Sequence, residues 1–207
     1  MNTTSRILGE AKRPPTEMEL NDPQQAYKYA RDIIEGPFPE GEAAIATDPD
    51  CAYNYALEVI EGRWPEGEEA IAMNPFKACD YARYVIKGRF PEGEATIATS
   101  PGWAYHYARD IIDGPWPEAE PDFAKDPQFS FRYAKNVIEG RFPEGEAAIA
   151  TDPFYAYYYT MDIIKGRFPK GEETIAKDLH LAKKYLEAFP DAKIDWYARE
   201  WIDWTKL

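Results

Sequence analysis

The sequence predicts an all-α fold: a right-handed α-solenoid of six 26-residue helix pairs, capped at both ends. Three observations predict it. One frame restarts at Asp22, Asp48, Asn74, Ser100, Asp126 and Asp152, always 26 residues apart, with a degenerate seventh start at Asp178. Within each copy the apolar residues recur at helical spacing. Each copy is also punctuated alike, by a polar residue and proline at its start and by glycine near its middle. A fixed period between 20 and 50 residues marks a repeat array, in which each unit buries its apolar face only against its neighbours.

The elements follow in chain order. Residues 1–21 form an N-terminal arm and a partial capping copy, in which Pro14 to Leu20 is a shortened second helix. Residues 22–177 hold the six full copies, and 178–207 hold the degenerate copy and a Trp-rich capping helix. Each full copy opens with a long helix of about 13 residues, within the usual range. Its Asp or Asn suits an N-cap, and its Pro suits the first helical position, where no amide partner is needed. In the first copy Ala26, Tyr29, Ala30, Ile33 and Ile34 make one apolar stripe. The glycine at Gly36, Gly62, Gly88, Gly114, Gly140 or Gly166 is expected to end the helix in the left-handed conformation. A corner such as Arg141-Phe142-Pro143 leads into a short helix whose apolar face, in the first copy, is Ala43, Ile45 and Ala46. At the far end, Ile194, Tyr197, Ala198, Trp201 and Ile202 repeat the helical spacing and predict the C-terminal cap.

Two aromatic columns run through all six copies. One is Tyr29, Tyr55, Tyr81, Tyr107, Tyr133 and Tyr159; the other is the corner aromatic, Phe38, Trp64, Phe90, Trp116, Phe142 and Phe168. Both are expected to form a core ladder, with the corner ring as a hydrophobic staple and the Tyr hydroxyl reaching a carbonyl in the next copy. An aromatic ligand track is the sharper alternative. The fourth copy departs most, with Ala119, Pro121, Asp122 and Phe123 in its short helix, a candidate bend or contact point. A slower rhythm repeats every three copies: Glu35, Glu61, Lys87, then Asp113, Glu139, Lys165, beside Pro37, Arg63, Arg89, then Pro115, Arg141, Arg167. Duplication of a three-copy block, or a superhelix of three copies per turn, would each produce it.

Charge and composition exclude several functions. Charged residues make 29% of the chain and aromatics 15%, too apolar and too patterned for disorder. The net charge of −13 excludes direct binding to nucleic-acid backbone or to anionic membrane surfaces, which need clustered Lys and Arg. Cys51 and Cys79 suit small buried fillers in a reducing compartment, and His106 and His180 stand on non-equivalent positions, so no metal, cofactor or catalytic site is expected. Without a signal peptide or a long apolar run, the expected place is the cytoplasm.

Two glutamate rows are the candidate partner-binding feature: Glu40, Glu66, Glu92, Glu118 and Glu144, and Glu42, Glu68, Glu94, Glu120 and Glu146, the second continuing at Glu172. Acidic residues in a first helical turn also favour the helix dipole, which accounts for them without any ligand. Spread evenly along six helix pairs spaced about 10 Å apart, −13 amounts to about a third of the charge density of duplex DNA. The variable residues that open the long helices, among them Phe76, Trp103, Phe129, Phe154 and Tyr155, are the second part of the candidate surface.

The step Ile45-Ala46-Thr47-Asp48-Pro49 after a Pro-started short helix resembles leucine-rich-variant and HEAT-like α-solenoid repeats, with a different period and an internal Tyr foreign to them. The strings Tyr29 to Glu40 and Tyr107 to Glu118 are similar to repeats in uncharacterised proteins of tailed bacteriophages, a resemblance that covers residues 22–177. It brings no activity and no functional residues, and implies a phage setting in the host cytoplasm, where small acidic proteins block host factors. The expectation is therefore a non-enzymatic binding protein for a protein partner, itself basic or nucleic-acid-binding. A DNA mimic, a scaffold self-associating through the C-terminal cap, and a small-ligand sponge are the alternatives.

Overall fold

The structure, a computed structural model, describes residues 13–192 and Ile194. Those residues are all-helical, with no strand among them, and the helices pack in neighbouring pairs. The chain divides into two compact units, Met1–Thr96 and Ile97–Leu207. The Trp-rich segment predicted as the C-terminal cap lies outside the described residues except for Ile194, which is buried.

In the first unit a short helix, Glu17–Asn21, is closed by a reciprocal capping box between Thr16 and Glu19. Arg13 grips Glu19 and lies over the Tyr29 ring. The first full copy then runs Pro23–Tyr29, Ala30–Ile34 and Pro39–Ile45. The second runs Pro49–Tyr55, Ala56–Ile60, a 3₁₀ turn at Pro65–Gly67 and Glu68–Ala72. The third opens with Pro75–Asp80 and Tyr81–Ile86. In the second unit the long helices are Pro101–Tyr107 with Ala108–Ile112, Pro127–Tyr133 with Ala134–Ile138, and Pro153–Tyr158 with Tyr159–Ile164. The short ones are Glu120–Phe123, Glu146–Ile149 and Pro169–Ile175. Helix Leu179–Ala188 follows them. The predicted start signals are in place: Asp22, Asp48, Asn74, Asp126, Asp152 and Asp178 each accept a backbone N–H from the first turn, whereas Ser100 makes no side-chain cap.

Two sequence expectations are corrected. Each frame helix begins as α and finishes as π, from Ala30–Ile34 to Tyr159–Ile164. π winding reaches five residues back for each hydrogen bond, so it rotates the last turn off the α stripe. Ala26, Tyr29 and Ala30 are buried, but Ile33 and Ile34 are only half-buried. Nor does the glycine take the left-handed conformation. The residue before it does: Glu35, Glu61, Lys87, Asp113, Glu139 and Lys165, at φ between 51° and 57°. The reason is visible at the helix end, where the N–H groups of Glu35 and Gly36 both reach the Ala30 carbonyl. That closure needs one left-handed residue, and it falls one place earlier than in an α-helix exit.

A second glycine column does carry a steric demand. A Cβ on Gly41, Gly67, Gly145 or Gly171 would stand 2.3–2.6 Å from a ring carbon of the corner aromatic three residues earlier. Each of these corner rings thus lies over the start of its short helix and packs on the Tyr of its own copy; Phe38 and Phe168 are themselves the helix N-cap residues. The Tyr55–Trp64 and Tyr133–Phe142 centroids lie 4.8 and 5.3 Å apart. Such tilted pairs contribute about 0.5–1.5 kcal/mol beyond their burial.

Candidate partner-binding surface

The Tyr column settles where the polar frame goes. The expected hydroxyl bond to a carbonyl in the next copy is not what forms. The hydroxyl reaches back to the preceding copy, where it accepts a backbone N–H and donates to a glutamate. Tyr55 accepts from the Phe38 amide at 2.8 Å and donates to Glu42 at 2.7 Å. Tyr81 does the same with Trp64 and Glu68, Tyr133 with Trp116 and Glu120, Tyr159 with Phe142 and Glu146, and Tyr185 with Phe168 and Glu172. The amide satisfied in this way is an orphan at the start of the short helix, which no side chain caps.

Where the corner holds Arg, the same glutamate is also clamped from the solvent side. Arg63 donates two bonds to Glu68, at 2.6 and 2.9 Å, Arg89 two to Glu94, and Arg167 two to Glu172. Arg141 holds Glu146, which also accepts from Lys170 of the following copy. The Arg63 bonds hold the Glu68 carboxyl below its usual range. Burial pushes Glu146 and Glu172 up, but the bonds from Arg141 with Lys170, and from Arg167 with Tyr185, outweigh it and leave both low. Burial in turn drives the Tyr185 hydroxyl up to about 12.

The two glutamate rows therefore differ in kind. Glu42, Glu68, Glu94, Glu120 and Glu146 are half-buried or buried and belong to the frame. Glu40, Glu66, Glu92, Glu118 and Glu144 are exposed. Arg63 extends to Glu92 at 3.6 Å, so it spans both rows.

The variable aromatics also separate. Phe76 and Phe154 are 38% and 50% exposed, whereas Trp103, Phe129 and Tyr155 are half-buried. Phe154 rests against Tyr155 and Tyr158, and Tyr155 against Phe131, so the four rings form one cluster within the second unit. Residues that the sequence did not single out are as exposed: Tyr84 at 51% and Met73 at 71%.

The charge is not spread evenly. Residues 22–73 carry twelve Asp and Glu against three Lys and Arg, a net −9 of the chain's −13. A count per pair of copies would have found this in the sequence. Glu35, Glu40, Glu61, Glu66 and Glu69 are exposed there and make no ion pair among the described residues.

Cys51 and Cys79 are buried and not joined in a disulfide, and burial pushes the Cys51 thiol up to about 12, out of reach of ordinary thiolate chemistry. Among the described residues no three His, Cys, Asp or Glu side chains gather as metal ligands, and no helix is long and apolar enough to cross a membrane. Comparison with protein-family models, with curated proteins and with solved structures returned no match.

Proposed function

We propose that the chain is a right-handed α-solenoid of six helix pairs acting as a non-enzymatic binding protein for a basic protein partner. One observation carries this reading. The recurring tyrosines, corner arginines and inner glutamates are spent on one another inside the frame, while Phe76 and Phe154, at positions that differ between copies, stand exposed, and Glu40, Glu66, Glu118 and Glu144 are exposed without an ion pair among the described residues. A constant interior with a variable surface is the division of labour of binding repeats. Exposed aromatics next to charge are the residue classes that anchor protein interfaces. In the phage setting that the sequence resemblance implies, the partner is a host defence protein.

The charge asymmetry favours a second reading. A net −9 on two copies, with packed helices about 10 Å apart, is one charge per roughly 2 Å. Duplex DNA carries one per about 1.7 Å. The first two copies thus approach the density of DNA, which the chain as a whole does not, and a nucleic-acid-binding partner fits them.

Capture from bacterial lysate tests both. The wild type, a Glu40→Gln/Glu61→Gln/Glu66→Gln variant and a Phe76→Ser/Phe154→Ser variant are compared at low salt and at about 0.5 M, where surface attraction is screened. A single partner lost at high salt and lost by the Gln variant supports the acidic-surface reading. Competition of that partner by duplex DNA selects the mimic. A partner held equally by all three proteins would sink both.

A further inference from the structure

Within each unit, polar rungs tie long helices of neighbouring copies to one another. The Tyr27 hydroxyl donates to Glu58, which also lies 3.7 Å from Arg31. In the second unit Asn136 donates to the Tyr105 hydroxyl at 2.9 Å, and Lys135 to Asp162 at 2.6 Å. Between the second and third copies the equivalent places hold Tyr53, Leu57 and Tyr84, and no such rung forms. The Tyr53 hydroxyl has no hydrogen-bond partner among the described residues, although the side chain is only 7% exposed. Lys77 lies over its ring at 5.0 Å and pairs with Asp50, and Asp80, Tyr84 and Glu58 are its other charged and phenolic neighbours.

A groove of ≈ 330 Å³ lies at this place, lined by Leu57, Glu58, Glu61, Tyr84, Val85 and Lys87. Its counterpart in the second unit is as large, ≈ 340 Å³, but holds the Lys135–Asp162 ion pair where this one holds Leu57 and Tyr84. The open groove has an apolar floor, Leu57 and Val85, and one aromatic wall, Tyr84, over which Arg83 lies at 5.8 Å. Glu58 and Glu61 form one rim and Lys87 the other. The size sits at the lower edge of ligand pockets and suits one inserted side chain.

We infer that this groove receives an apolar side chain flanked by lysine or arginine on the protein partner. The inference rests on the reading of a basic partner and names the point of insertion. The chemistry follows from the walls. The floor takes an aliphatic group; Glu61, on the rim beside a Glu58 already held by Tyr27 and Arg31, takes the flanking cation within the segment of net −9; Lys87 repels a cation from the other side and so fixes the direction.

The probe is an acetylated, amidated pentapeptide, one leucine between two pairs of lysines, titrated into the full chain and followed by backbone-amide, methyl and aromatic NMR. The Leu57 and Val85 methyls and the Tyr84 ring shift saturably, and an alanine-for-leucine peptide binds at least five-fold more weakly. Two variants replace groove residues with the types found at the same place in other copies. Tyr84→Asn restores the tyrosine–amide bond seen at Asn136, and Leu57→Lys restores the cation seen at Lys135. Each weakens binding at least ten-fold while the unfolding midpoint holds or rises; either variant alone decides if the other misfolds. Equal binding of the leucine and alanine peptides, with shifts confined to Glu40 and Glu66, overturns the groove and leaves the basic-partner reading standing. Absence of any saturable shift also overturns the groove, and the lysate capture judges the broader reading independently.

Discussion

The fourth and fifth copies share one plan and solve its corner differently. The fifth has Arg141, Phe142 and Gly145, and its Glu146 is held by Arg141, Lys170 and Tyr159. The fourth has Pro115, Trp116 and Ala119, and its Glu120 accepts from Tyr133 without an arginine. In the fifth copy the corner ring stands at 72° to its tyrosine; in the fourth the indole tilts to 42°. The indole Nε1 is the buried side-chain donor without a partner among the described residues. The tyrosine bond to the corner amide survives both solutions, at 2.7 and 2.9 Å. The tyrosine ladder is therefore the fixed element. The arginine clamp and the small residue beneath the ring are adjustable, and the ring's tilt differs with them.

The largest effect should come from exchanging the small residues. Gly145→Ala places a methyl 2.4 Å from the Phe142 ring and 2.7 Å from the Ser130 hydroxyl, in a site with no room to give. Overpacking of this kind costs about 1–3 kcal/mol. Ala119→Gly in the fourth copy should cost about 1 kcal/mol or less. Equal losses in thermal unfolding would show that the ring tilt is unrelated to the methyl. Tyr159→Phe and Tyr133→Phe come next. Each strands a buried corner amide, worth about 1–3 kcal/mol, and the fourth copy should lose at least as much because Glu120 has no arginine to fall back on.

Acid should separate the copies further. The Glu146 carboxyl sits below its unfolded value, so its contribution is complete above the ordinary glutamate pKa near 4.3 and is lost as pH falls through the lower folded one. The unfolding midpoint of the wild type should drop below about pH 4.3, and Glu146→Gln should flatten part of that slope. An unchanged slope would mean the clamp contributes nothing to stability. The smallest effects belong to the helix exit. Gly140→Ala meets ordinary contacts and should stay within about 0.5 kcal/mol of the wild type, whereas Glu139→Gly relieves a left-handed residue and should stabilise by up to about 1 kcal/mol.

Much of this was legible in the sequence, and the limits have identifiable causes. Period, helix starts and the core aromatics follow from local rules: Asp48 caps because a carboxylate beside proline has few better uses, and Tyr55 is buried because its column is apolar on both sides. The glutamate rows looked alike because the two columns sit two residues apart on the same short helix. Only a neighbour's tyrosine tells Glu42 from Glu40. The missing hydroxyl rung at Tyr53 and Tyr84 could not be read either, since it depends on which residues meet across 31 positions, as Tyr27 meets Glu58.

The sequence by itself determined the helical class, the 26-residue cadence, the caps of the long helices and the acid load of residues 22–73. Each of these depends on residues close in the chain or on simple counting. Tertiary structure decided the winding. Helix Leu179–Ala188 keeps the tyrosine but lacks the exit glycine and corner, and it stays α to its end, where Phe189 bonds back to Tyr185 and rests on its ring. In the six full copies the chain must instead turn back to lay the corner ring under its own tyrosine and bring the corner amide to the next. The last turn widens to π and one residue goes left-handed to close that path. Helix propensity favours neither feature; both accompany contacts made beyond the helix itself, to the corner ring of the same copy and across to the next.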